Sequence, residues 1–151
     1  MDRVVRPSGS EPVAVIREGE PLPIVVGRGH AIAMVGRHTG ARHRTINRVE
    51  LTPGAATVPS HHAGEAVYLV AEGEADLELG DGTLHHMPAR SIVYVPAAMP
   101  YRFLARTPVL LYGGPCPPDD GTPPELVTGT AKGARVFDAE RERAPIPMIS
   151  R

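Results

Sequence analysis

The sequence has a single cysteine, Cys116, so no internal disulfide can staple it and a packed core must hold it together. It has no apolar run approaching the ~18 residues of a membrane span. Its opening stretch, MDRVVRPSGSEPVAVIREGEP, lacks the continuous apolar segment of a secretory signal. An excess of charge is also missing: 16 basic and 17 acidic side chains leave a net charge of -1. That balance argues against a nucleic-acid binder, which presents a basic face, and against a highly charged disordered tail. No solenoid repeat recurs. Gly27-Arg28-Gly29 is too short for a phosphate loop, so no nucleotide cofactor is expected. The expectation is a soluble, cytoplasmic protein that engages neither nucleic acid nor membrane.

What the chain has in quantity is punctuation. Seventeen prolines and sixteen glycines in 151 residues leave little room for long helices. Between them lie segments of strand length rich in Val, Ile, Leu and Tyr: 13–16, 32–35, 45–51, 66–71, 75–79, 91–95, 101–105 and 109–112. The run Leu79-Gly80-Asp81-Gly82 contains the Asp-Gly pair of a type I′ hairpin, with His85 and His86 on the strand that follows. The pattern is all-β. Its length suits one domain, divided as an N-terminal extension and first strand (1–29), a barrel (30–112) and a Pro-rich extension (113–151) packing on the barrel or a partner subunit. Residues 1–12 read as a mobile end, 113–124 as a loop too proline-rich for a sheet interior, and the tail around Ala144-Pro145-Ile146-Pro147 as extended backbone.

The most informative stretch runs from Gly54 through Ser60-His61-His62-Ala63-Gly64-Glu65-Ala66 to Gly73. It resembles the first motif of the cupin family, G-x5-H-x-H-x3-E-x6-G. Residues 90–105 keep the spacing of the second motif, G-x5-P-x-G-x2-H-x3-N, around Pro96, Ala98 and Tyr101. The resemblance implies a double-sheet jelly-roll barrel over residues 30–112 and, as in other cupins, a homodimer. Cupins typically hold a divalent metal through two histidines and a glutamate of the first motif and one histidine of the second. Here those positions carry Ser60, His62, Ala66 and Tyr101, while Arg90, Ala98 and Ala105 replace the second motif's two glycines and asparagine. The run Glu65-Ala66-Val67-Tyr68 after the His-His pair is also similar to the corresponding run of ectoine synthase, a ring-closing lyase whose iron site includes a tyrosine. Seven residues rather than six separate Glu65 from Gly73, a departure from the motif.

Two site compositions follow. In one, a zinc, iron or nickel ion is held by His62 with His61, Glu65 and Tyr101. Glu65 joins only if Gly64 bends the chain or a bulge resets the register, because neighbours on a strand face opposite ways. In the other, the metal is gone. Alternation places Asn47 with Val49 and Leu51, Tyr68 with position 66, and Phe103 with Tyr101, giving a pocket lined by Asn47, His62, Tyr68, Tyr101 and Phe103 with Tyr94 nearby. Tyr68 and Tyr94 also suit plain core positions. His30, His38 and His43, set among arginines, read as a solvated polar segment, and Cys116 is not expected to act as a nucleophile. The first functional expectation is a small-molecule enzyme (isomerase, cyclase, lyase or dioxygenase) with His62, Glu65 and Tyr101 as catalytic candidates. The alternative is a metal-free cupin that binds a small molecule without converting it.

Overall fold

The computed structural model describes residues 14–119 and the backbone of residues 135–138; the expectations for residues 1–12, for 120–134 and for the tail beyond 138 lie outside the described residues. The strands are β1 (Glu20–Pro21), β2 (Val25–Val26), β3 (Gly29–Val35), β4 (Ile46–Leu51), β5 (Ala56–Thr57), β6 (Glu65–Glu72), β7 (Ala75–Leu79), β8 (Leu84–Met87), β9 (Ser91–Val95), β10 (Tyr101–Ala105), β11 (Val109–Cys116) and β12 (Arg135–Asp138). A single 3₁₀ turn, Arg37–Thr39, is the only helical element among the described residues. The strands form two antiparallel sheets, ordered β1-β3-β4-β11-β6-β9-β12 and β2-β5-β10-β7-β8.

Period-two alternation builds the interior. On β4, Asn47, Val49 and Leu51 are buried while Arg48 and Glu50 pair with each other outside. On β6 the inward row is Ala66, Tyr68 and Val70; on β10 it is Tyr101, Phe103 and Ala105. β11 runs antiparallel to β4 and β6, so its row reads in reverse, from Val109 and Leu111 to Gly113 and Pro115. Each row is aliphatic at one end of the barrel and polar, aromatic or side-chain-free at the other. The aliphatic end is closed by Leu77, Met87, Leu111, Val49, Val70 and Val93, each under 2% exposed. Such side chains contribute about 1.5–3 kcal/mol apiece when fully buried.

Several expectations need correction. Residues 14–16 form no strand. Gly113 to Cys116 continue β11 in the middle of a sheet, paired with Tyr68 to Glu65. A proline lacks the N–H of a ladder, yet Pro115 still supplies an acceptor: its carbonyl takes the Thr45 N–H at 3.1 Å. The β7–β8 hairpin turns about Gly80 and Asp81, with the Gly82 N–H on the Leu79 carbonyl at 2.9 Å and Gly82 left-handed at φ 85°. It is a turn followed by a left-handed bulge residue, not the Asp-Gly type I′ hairpin. Gly64 makes no bulge. It allows a close approach, since a Cβ there would lie 2.3 Å from the Cys116 carbonyl oxygen.

Arg90 and Ala98 stand where the second motif has glycine, and both keep a left-handed backbone, φ 66° and 60°. For a residue with a Cβ this costs about 1–2 kcal/mol. The turn at Ala98 holds its N–H on the His62 carbonyl at 2.7 Å and so braces the site. Ala98 is exposed, so glycine there loses no packing. Ala98→Gly should raise stability by about 0.5–1 kcal/mol after the extra chain entropy of glycine is subtracted, read as a higher urea midpoint with an unchanged m value.

Candidate functional site

At the polar end of the inward rows the barrel opens into a cavity of about 400 Å³. Leu22, Ile24, Val35 and Val58 give it apolar walls, while Asn47, His62, Tyr68, Tyr101 and Asp119 line the rest. The size and mixture suit a small, partly apolar molecule. Gly113, paired in register with both Asn47 and Tyr68, lets the strands approach closely here: a Cβ on it would lie 2.0 Å from the Val67 carbonyl oxygen. A surface groove of about 510 Å³ near Gly29, His30 and Leu110 is larger. Its charged groups pair with one another, with His30 on Glu50 at 3.2 Å and Arg48 also on Glu50, although Arg48 Nε has no hydrogen-bond partner among the described residues.

Four side chains in the cavity form one hydrogen-bonded line. Asp119 meets His62 Nδ1 at 2.8 and 3.0 Å, His62 Nε2 meets the Tyr101 hydroxyl at 2.7 Å, and that hydroxyl meets the Tyr68 hydroxyl at 2.9 Å. An ionised carboxylate only accepts, so it draws the imidazole proton to Nδ1 and leaves Nε2 as an acceptor. Tyr101 then donates to Nε2 and Tyr68 donates to Tyr101. Phe103 supports both phenols edge-on, with ring centroids 4.8 Å from Tyr68 and 5.6 Å from Tyr101.

Burial sets the proton affinities. His62 is 7% exposed, and desolvation lowers its pKa below 6.5 although the nearby Asp119 carboxylate pulls the other way. Burial pushes Tyr68 up to about 12 and raises Tyr101 well above the ordinary tyrosine value. At neutral pH the line therefore holds a neutral imidazole and two neutral phenols, with the charge at the Asp119 end.

The structure brings Asn47, His62, Tyr68 and Tyr101 to the cavity wall. Phe103 lies beneath them in the core at 1% exposure. Glu65 and Tyr94 are elsewhere. The β6–β9 register is regular, Ala66 points inward, and Glu65 stands on the outer face, where it accepts the Tyr94 hydroxyl at 2.8 Å. His61 does not line the cavity, and its Nδ1 is buried without a partner among the described residues. Polar cavity residues that the sequence does not mark as site residues include Asp119, His38 and Thr45. Asp119 lies 57 positions from His62 in a proline-rich segment that no motif marks. His38 sits on the 3₁₀ turn, outside any periodic pattern.

This donor set does not fit a four-ligand cupin metal. No three His, Cys, Asp or Glu side chains come together among the described residues, and both His62 nitrogens are engaged. Coordination through Nε2 would displace a phenol whose burial resists its ionisation.

The two-sheet barrel with a chamber at one end defines a cupin-type β-barrel. The family model described as a cupin domain matches residues 47–112, and the chain carries a cupin domain over that span. Among solved structures, a cupin 2 domain-containing protein from Halorhodospira halophila is 21% identical over 64% of this chain and 70% of its own, with a TM-score of 0.54. A salicylate 1,2-dioxygenase from Pseudaminobacter salicylatoxidans is 22% identical over 58% of this chain, with a TM-score of 0.51, and a structure of that enzyme as adducts with gentisate gives 21%, 64% and 0.52. The match spans only 26% of the dioxygenase's length, so the likeness is one of fold. No curated protein matches the chain.

An NMR titration of the His62 ring should give a midpoint below 6.5. Asp119→Asn removes the group that raises the pKa and should move the midpoint lower still. Because the folded pKa is depressed, His62 favours the folded state above pH 6.5, and this contribution is lost as pH falls through the window down to the folded value. The wild type should therefore lose more stability than His62→Gln between pH 7 and pH 5, measured by urea denaturation at each pH.

Proposed function

We propose that this cupin is a small-molecule enzyme of the acid–base kind, an isomerase, lyase or cyclase, acting within the cavity. The observation that carries the reading is the line from Asp119 through His62 and Tyr101 to Tyr68, exposed to a chamber with apolar walls. A substrate proton taken up at the Tyr101 oxygen is matched by transfer of the Tyr101 proton to His62 Nε2. The resulting imidazolium is stabilised by Asp119. Reversal returns a proton to a different substrate atom. Tyr101 and His62 are the catalytic residues of this scheme, and Asp119 positions and charges the imidazole. Tyr68 donates to Tyr101 and steadies its oxygen as charge develops there.

A second reading has its own support. Every member of the line is satisfied internally, as in a rigid binding site that converts nothing. A panel of small apolar carbonyl compounds incubated with the protein in D2O separates the two. Catalysis predicts deuterium incorporation or conversion of at least one member, reduced 10²–10⁴-fold in His62→Gln and strongly in Tyr101→Phe. Compounds that raise the melting temperature without exchange or turnover would favour the binding module. Stoichiometric metal in tag-free protein, lost in His62→Gln, would overturn the metal-free scheme in favour of metal-assisted chemistry.

A further inference from the structure

On the same sheet as Tyr68, with β11 between them, is a further polar group that the proton line does not use. Asn47 is 6% exposed, lines the cavity, and makes no side-chain hydrogen bond among the described residues. Beside it, Thr45 Oγ1 is buried with no hydrogen-bond partner, as is Nε2 of His38. Both residues line the same chamber. Thr45 and Asn47 are neighbours over Gly114: a Cβ placed there would lie 2.9 Å from the Thr45 methyl and 3.2 Å from Asn47 Nδ2. His38 is fixed on its turn by Thr39, whose buried hydroxyl accepts the Gly36 N–H at 3.0 Å and donates to the Gly36 carbonyl at 2.9 Å.

Buried polar groups are almost always paired, because an unpaired one has lost its hydrogen bonds to water without replacement. Asn47, Thr45 and His38 line one chamber, and two of their polar atoms have no hydrogen-bond partner among the described residues. A hydroxyl, a carboxamide and an imidazole nitrogen can each give or take a hydrogen bond. Two charged residues stand on the wall, Arg37 and Asp119, of opposite sign and each engaged with other groups. No cation is therefore left over for an anionic ligand, and a carboxylate would have to be desolvated near Asp119.

We infer that Thr45, Asn47 and His38 form a subsite for an uncharged polar head that both donates and accepts, of the carboxamide type, on a substrate whose apolar remainder lies against Leu22, Ile24 and Val58. This deepens the proposed function and rests on the cavity being the ligand chamber.

The probes are isobutyramide, benzamide and cyclohexanecarboxamide with their matching carboxylates, titrated at pH 7.5 against the full-length protein and followed by chemical-shift changes of cavity residues. At least one amide should bind, and at least tenfold more tightly than its carboxylate. Asn47→Leu and the near-isosteric Thr45→Val should each weaken that amide about three- to tenfold, the worth of one neutral hydrogen bond. Both variants should keep the His62 titration midpoint of the wild type, which shows that the proton line is intact. Carboxylates binding as well as the amides would overturn the subsite, and so would an amide affinity unchanged in both variants. In those cases the proposed function survives. If no probe of either kind perturbs the cavity, the chamber reading falls and the subsite with it.

Discussion

Strict two-residue alternation is the constraint on which the molecule depends. It decides that Ala66 and Tyr68 enter the barrel while Glu65 and Val67 leave it, and the same rule orders β4, β10 and the first residues of β11, where Val109 and Leu111 are buried. Because the strands run side by side in fixed register, their inward rows align into layers. One layer set is aliphatic and packs solid. The next contains Asn47, Tyr68 and Tyr101, three polar side chains that line the cavity. The cavity is thus written into the register: the core closes where the rows are hydrocarbon and opens where they are not.

That layer also fixes the chemistry. An imidazole facing into a barrel with further nitrogen and carboxylate donors would be a metal ligand. Here the facing group is a phenol at 2.7 Å, and the flanking carboxylate acts on the far side of the ring. Burial works in one direction on all three rings, favouring the neutral form of each: down for the imidazole, up for the phenols. The outcome is a line of neutral donors and acceptors ending in one carboxylate. A line of this kind offers neutral donors and acceptors in place of the several anionic or imidazole donors of a coordination sphere.

Much of this was legible in the sequence, for identifiable reasons. The strands of the two motifs, the inward facing of Asn47, His62, Tyr68 and Tyr101, and the barrel itself follow from periodicity and motif spacing, which are local properties. Glu65 was legible only as a conditional, since its entry into the barrel required a bulge that the regular β6–β9 pairing does not contain. Asp119 and His38 were not legible. One reaches His62 from 57 residues away and the other is presented by a 3₁₀ turn, so no period connects either of them to the rows they join. The extension of β11 through Pro115 was hidden for a related reason. Proline argues against a central strand on average, but an acceptor position tolerates it, and only the three-dimensional pairing with Thr45 reveals which kind of position it is.

Arg90 and Ala98 show how backbone and side-chain requirements separate. Both occupy glycine positions of the second motif, and both bend as a glycine would, at φ 66° and 60°. A side chain that takes this conformation pays a local penalty, and it persists only where the surrounding structure determines the bend more strongly than the residue does. At Ala98 that determinant is visible: its N–H closes on the carbonyl of His62, the residue whose ring the site is built around. The turn is therefore held by its service to the cavity and not by the residue that makes it. The same logic applies to the positions that match the cupin motif's ligands, Ser60, Ala66 and Tyr101, which sit in regular pairing, Ala66 opposite Val95 and Ser60 opposite Tyr101. Ser60 still bridges to Tyr101 through paired backbone hydrogen bonds of 2.9 Å, so the phenol inherits a placement that the barrel enforces whatever side chain stands there. A barrel that fixes placement this firmly lets the side chains at these positions change without moving the strands that hold them.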